Sequence, residues 1–176
     1  MYTDGACSGN QNETNVGGWG CILEYGAYRK ELYGGEPDTT NNRMELTAVI
    51  NGFRALTRDG LKIEVFTDSA YLAECFRQKW YENWRRNGWR TSKKTPVENR
   101  DLWEELLSRI EKNDVTFYRV KGHVSLGSAG EKLGGLYRKF TEWNGRGFTE
   151  EDFRYVTEQN NRADELARQG IDDQRG

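Results

Sequence analysis

The chain has 176 residues, 35% of them hydrophobic, enough for one sizeable core and no reason to expect two. Three cysteines (Cys7, Cys21, Cys75) without CxxC spacing argue against a disulfide framework and a zinc site. With no membrane-length apolar run and no charged-then-apolar leader, a soluble cytoplasmic protein is expected. The net charge of −2 gives no general attraction to nucleic acid, but residues 79–94 carry Lys79, Arg85, Arg86, Arg90, Lys93 and Lys94 against Glu82 alone. That is a local basic patch.

In chain order, Met1-Tyr2-Thr3-Asp4 predicts a very short strand ending in a carboxylate, and residues 5–18 a Gly/Asn-rich loop suited to close backbone approach. Residues 19–23 and 28–33 predict a hairpin turning at Tyr25-Gly26-Ala27, with 34–41 as connection. From Asn42, Leu46, Val49, Ile50, Phe53 and Leu56 share a helical face, with Asn42 as N-cap and Glu45 three residues on as its capping-box partner. Gly60 turns the chain into Ile63-Glu64-Val65-Phe66-Thr67-Asp68-Ser69, a strand running into an acid. A helix over 69–77 follows, with Tyr71, Leu72, Cys75 and Phe76 at helical spacing.

Trp80, Trp84 and Trp89 then interleave with Arg85, Arg86 and Arg90. Thr95-Pro96-Val97-Glu98 predicts a helix start, with N-cap Thr, Pro at the first helical position and Glu closing the box; Trp103, Leu106, Leu107 and Ile110 line one face. Residues 115–120 predict a strand, followed by Lys121-Gly122-His123, the only histidine. Residues 124–159 mix glycines with too many large apolar groups for a solvated linker. They are expected to pack partly, as one or two short helices around 131–143 and 150–157 near the last helix; Lys132, Arg138, Lys139 and Arg146 would extend a cationic surface, but Glu131, Glu142, Glu150, Glu151 and Asp152 offset them, which favours an insertion inert in binding. Residues 160–169 predict the last helix, with Ala163, Leu166 and Ala167 inward and Gly170 as its stop, so that a domain over 1–170 ends in a flexible tail at 171–176.

Each candidate functional group has an ordinary role open to it. Asp68 or Ser69 would cap a helix, Glu45 would close a capping box, Asp164 would face a helix dipole, and His123 would simply be hydrogen-bonded. Taken together, Asp4, Glu45, Asp68 and Asp164 are four oxygen donors from four elements, the donor type that hard cations such as Mg²⁺ take in two-metal phosphoryl chemistry. The tryptophans and arginines of residues 80–90 suit either a solvated helix with core tryptophans or a surface that tracks a nucleic-acid backbone.

Five motifs in order then resemble the type 1 bacterial ribonuclease H family: Thr3-Asp4-Gly5-Ala6-Cys7-Ser8-Gly9-Asn10, Thr40-Asn41-Asn42-Arg43-Met44-Glu45-Leu46, Thr67-Asp68-Ser69, Val120-Lys121-Gly122-His123 and Asn161-Arg162-Ala163-Asp164-Glu165-Leu166-Ala167. The resemblance implies an α/β fold, a five-stranded mixed sheet flanked by helices, here with a long insertion (124–159) before the last helix. It implies a metal-dependent endonuclease acting on the RNA strand of RNA/DNA hybrids and leaving 5′-phosphate and 3′-hydroxyl ends; a monomer is expected. Asp4, Glu45, Asp68 and Asp164 would hold two Mg²⁺ or Mn²⁺ ions, and His123 would assist proton movement and product release. Cys7, Asn10, Asn41, Asn42 and Glu45 would line the RNA minor groove, Thr40 and Asn99 a DNA-phosphate pocket, and Trp80, Trp84, Arg85, Arg86 and Trp89 the DNA strand's channel. A catalytically idle hybrid-binding module and a DNA-directed enzyme of the same fold are the alternatives.

Overall fold

The computed structural model describes residues 1–9, 14–145 and 147–176. Three strands form an antiparallel meander: β1 (Tyr2–Ser8), β2 (Val16–Tyr25) and β3 (Tyr28–Pro37). After α1 (Asn41–Arg54), β4 (Lys62–Thr67) pairs parallel with β1. Next come α2 (Ala70–Gln78), α3 (Trp80–Arg86), α4 (Arg100–Glu111) and β5 (Asp114–Arg119), which is parallel to β4; α5 (Gly130–Asn144) and α6 (Glu150–Arg175) complete the chain. The sheet order is β3-β2-β1-β4-β5, which puts β1 at the centre of a mixed α/β sheet, the ribonuclease H-like arrangement the motifs implied.

Alternation along β4 divides the interior into two cores. Ile63 and Val65 join Leu46, Val49, Ile50 and Phe53 of α1, Leu72 and Cys75 of α2, and Trp103, Leu106 and Leu107 of α4. Phe66 points the other way, into a cluster with Tyr2, Ile22, Phe140, Phe148, Phe153, Val156, Ala163 and Leu166. On that second face α6 lies close to the meander. A Cβ on Gly170 would stand 2.0 Å from the Gly34 carbonyl oxygen, so glycine is required for the helix to reach the sheet.

Several predicted boundaries shift. β1 runs past Asp4 to Ser8 and β2 starts at Val16, because the small residues expected as loop pair with each other across the ladder, Ala6 with Gly18 and Cys7 with Gly17. The α1 cap is Thr40 rather than Asn42: its hydroxyl accepts the Arg43 N–H at 3.1 Å, which leaves Glu45 with no capping role. The helix expected at Thr95 starts at Arg100 instead. Thr95 is used in a turn, its hydroxyl 2.7 Å from that of Thr91, and Pro96 bridges to Arg90 while the Val97 N–H donates to the Trp89 carbonyl.

The end of the chain differs most. Gly170 does not stop α6, and residues 171–175 are helical with Ile171 buried, not a flexible tail. The glycine there serves close packing, not chain reversal. α6 also starts early, at a capping box between Thr149 and Asp152, so the helix expected around 150–157 forms its first turns. The one expected around 131–143 is α5. Phe140, Phe148 and Phe153 cover the stacked Tyr2, Phe66 and Tyr118 rings of the sheet. The Asn144 carboxamide accepts from the Arg119 N–H at 2.8 Å and donates to the Arg119 carbonyl at 3.0 Å, pairing with the free edge of β5 as a neighbouring strand would. Among the described residues, no helix is long and apolar enough to cross a membrane.

Candidate active site

The repeated aromatic-Thr-Asp sequence has a direct structural meaning. Tyr2 pairs with Phe66 and Thr3 with Thr67, so the next residue of each strand, Asp4 and Asp68, stand side by side. Asp68 is the residue just beyond β4, where open α/β sheets collect their ligands. Ser69 takes the capping work, its hydroxyl accepting the Leu72 N–H at 3.1 Å, which frees Asp68. Glu45 arrives from α1. A Cβ on Gly5 would lie 2.4 Å from the Glu45 backbone nitrogen, so this glycine lets the first turns of α1 press onto β1 beside Asp4.

One carboxylate oxygen from each of Asp4, Glu45 and Asp68 can be chosen so that all three lie within 4.8 Å of one another. Asp4 and Glu45 are buried, and Glu45 Oε2 has no hydrogen-bond partner among the described residues. Burial, followed by the charges of Glu45 and Asp68, pushes the Asp4 carboxyl up to about 11. Burial and the Asp68 charge raise Glu45 well above the usual carboxylate range. Burial also raises Asp68, against the pull of Asp4, Asn160 and His123. Three carboxyls sharing so little water are poorly stabilised as anions unless a cation joins them.

Asp164 borders this trio from α6. It contacts Asp4, is bound at 2.7 Å by Arg168 one helical turn later, and stands 3.8 Å from His123 Nδ1. His123 itself is largely exposed, on a backbone with φ of 56°, and the loop behind it is tied to α6 where Asn161 Nδ2 donates to the Val124 carbonyl at 2.9 Å.

The expected substrate residues are distributed around this centre. Cys7 is half-buried on β1, while Asn41 and Asn42 are exposed in the first turn of α1; Asn10 lies outside the described residues. Thr40 caps α1, and Arg43 reaches from there to Asn99, with contacts of 3.3 Å to the Asn99 side chain and 3.1 Å to Asp101. The basic stretch divides. Trp89 is buried in the core, and Arg85 is paired at 2.6 Å with Glu111 of α4. Trp80, Trp84, Arg86 and Arg90 instead line an open groove of about 590 Å³. Arg43, Asn160 and Arg168 are neighbours of the site that sequence reasoning did not assign. For the last two the signal was present in the numbering, since they stand four residues either side of Asp164 and so share its helix face.

The RNase H family profile matches residues 1–133. The ribonuclease H of Symbiobacterium thermophilum is 52% identical over 126 residues, covering 72% of this chain and 83% of that protein. The ribonuclease H of Moorella thermoacetica is 54% identical over 123 residues, covering 70% and 78%. Among solved structures, LC9-RNase H1, a type 1 RNase H with the type 2 active-site motif, superposes with a TM-score of 0.57 at 27% identity, covering 91% of this chain and 82% of that one. The profile match holds Asp4, Glu45 and Asp68 and ends inside α5; Asp164 lies beyond it and is tied to the other acids by geometry. With the carboxylates gathered on a five-stranded mixed sheet and the similarity spread over most of the sequence, the chain belongs to the ribonuclease H family.

Proposed function

We propose that this chain hydrolyses the RNA strand of RNA/DNA hybrids by a reaction dependent on two divalent cations, leaving 5′-phosphate and 3′-hydroxyl ends. The observation that carries the reading is the convergence of Asp4, Glu45 and Asp68 from three elements, buried and raised in pKa. The donor set fits a hard cation: it is all carboxylate oxygen, it includes an unpartnered buried oxygen on Glu45, and it is unstable as separate anions. Mg²⁺ or Mn²⁺, held by Asp4, Glu45, Asp68 and Asp164, would lower the pKa of the attacking water and neutralise charge on the leaving 3′-oxygen.

The chain's own side chains do the rest. His123 is assigned proton movement and product release, which its exposure on the loop and its 3.8 Å separation from Asp164 support. Cys7 on β1 and Asn41 and Asn42 at the start of α1 are assigned, together with Asn10, to reading 2′-hydroxyls in the RNA minor groove. Thr40 and Asn99, joined by Arg43, are assigned to a DNA phosphate. Trp80, Trp84 and Arg86 track the DNA strand along the groove, with Trp89 and Arg85 holding that groove against the core. A cytoplasmic location is assigned, which three free cysteines without CxxC spacing support, and the chain is assigned as a monomer.

Asp68→Asn tests the reading. Loss of one ligand carboxylate is expected to lower turnover of a labelled hybrid by at least about a thousandfold, some 4 kcal/mol of transition-state stabilisation. Hybrid affinity in the absence of metal is expected to stay within about threefold, because the phosphate contacts remain. A variant that keeps near-full turnover would remove Asp68 from the metal site.

A further inference from the structure

Asn160 is among the most completely buried polar side chains of the protein, at 1% exposure, and neither its Nδ2 nor its Oδ1 has a partner in hydrogen-bonding geometry among the described residues. Burying an amide without partners is costly, so such a residue needs a reason to be there. Apolar side chains surround it in sequence: Val156 one turn earlier and Ala163 three residues later both belong to the core cluster. An apolar residue at 160 would therefore extend a core that already exists.

The neighbour that gives the amide a purpose is Asp68. The Asn160 side chain lies close enough to the Asp68 carboxyl to favour its charged form, though short of full hydrogen-bond geometry. Asp164 is one helical turn further along α6, so one face of this helix delivers an amide to Asp68 and a carboxylate to the edge of the same cluster. The adjacent Asn161 fastens the histidine loop through the Val124 carbonyl. Two consecutive asparagines thus touch two different parts of the site.

We infer that Asn160 is a positioning residue, donating from Nδ2 to the Asp68 carboxylate so that its oxygens face Asp4 and Glu45 when cations bind. The inference rests on the metal-dependent reading above and adds to it a residue outside the four acids. Groups that orient a ligand in this way typically change metal affinity or activity by about 10–100-fold when removed.

The test is calorimetric titration of Mn²⁺ into the parent protein and into Asn160→Ala, with melting temperatures in a chelator measured alongside. Asn160→Ala is expected to bind Mn²⁺ at least about tenfold more weakly while remaining folded, and Asn160→Ser, which keeps a hydroxyl donor, to fall between the two. A merely structural asparagine would change the melting temperature and leave the metal affinity of the folded protein alone. Equal Mn²⁺ affinity in the parent and in folded Asn160→Ala overturns the inference; if the alanine variant does not fold, equal affinity in Asn160→Ser does so. A parent that takes up no Mn²⁺ brings down the metal-dependent reading and this inference with it.

Discussion

Truncating Phe140 to alanine asks whether the segment between β5 and α6 belongs to the core of the domain. The ring is 2% exposed, with its centre 4.8 Å from Phe148 and 5.6 Å from Phe153. Removing a buried phenylalanine side chain costs about 3–5 kcal/mol, from lost transfer free energy and from the cavity that remains. The upper half of that range applies, because two aromatic contacts are lost, each worth about 0.5–1.5 kcal/mol beyond burial. The stacked rings of Phe66 and Tyr118 on the sheet are held by their strands and cannot close the gap. For a chain of this length the unfolding entropy is about 0.4 kcal/mol per kelvin, so a loss of about 4 kcal/mol lowers the melting temperature by about 10 °C. Urea and thermal unfolding followed by far-UV circular dichroism supply the measurement. Fluorescence, recorded in a background with Trp19 of β2 and Trp143 of α5 replaced by phenylalanine so that Trp80, Trp84, Trp89 and Trp103 remain, reports the opposite face of the sheet, and its transition is expected to move by the same amount. A loss below about 1 kcal/mol, or an early helical transition with the fluorescence transition unmoved, would refute the reasoning by making the insertion a separately melting cover.

Three further outcomes follow from the packing and the charges. Gly170→Ala is expected to cost at least about 1–3 kcal/mol, because its Cβ meets the Gly34 carbonyl at 2.0 Å, whereas Gly147→Ala, with nothing within 4 Å, is near neutral; denaturant midpoints compare the two. The raised Asp4 carboxyl means that at this group the metal-free folded state holds its proton where the unfolded chain has lost it, so this group's contribution to stability is fully present below about 3.8 and is lost as pH rises toward about 11. Asp4→Asn removes that loss and is expected to stabilise the metal-free protein by about 1–4 kcal/mol at neutral pH, while divalent cation raises the melting temperature of the parent more than that of the variant; a variant less stable than its parent in chelator would contradict the electrostatics. Arg86→Ala, in the open groove, is expected to lower the salt slope of hybrid binding by about 0.7–0.9, and Arg85→Ala, already paired with Glu111, by less. Equal slopes for both would return the groove to an ordinary charged surface.

The site was easier to foresee than the boundaries of the elements that carry it. Asp4 and Asp68 were legible because each closes an aromatic-Thr-Asp strand end, and two strands with the same ending can lie in register, as they do. Glu45 was legible as a residue but not as a geometry: its approach to β1 depends on the absent side chain of Gly5, a tertiary contact. Thr95-Pro96-Val97-Glu98 misled because a good local cap lost to the Thr91–Thr95 turn, where the Thr95 hydroxyl meets that of Thr91 and the Thr95 N–H donates to the same Thr91 hydroxyl. Gly170 misled for a related reason, since a glycine chosen for close approach looks the same in sequence as one chosen to end a helix. Asn160 carries no sequence pattern other than its distance from Asp164. Only burial against Asp68 distinguishes it from a polar surface position.

The central claim is that these acids cut RNA when it is paired with DNA. Three end-labelled duplexes of one sequence, an RNA/DNA hybrid, an RNA duplex and a DNA duplex, are incubated with the protein in Mg²⁺ and, separately, in chelator. The expected result is cleavage of the RNA strand of the hybrid alone, only with the metal, yielding 5′-phosphate and 3′-hydroxyl ends. Cleavage of the DNA duplex with the hybrid left intact, or hybrid cleavage that persists in chelator, would contradict the account.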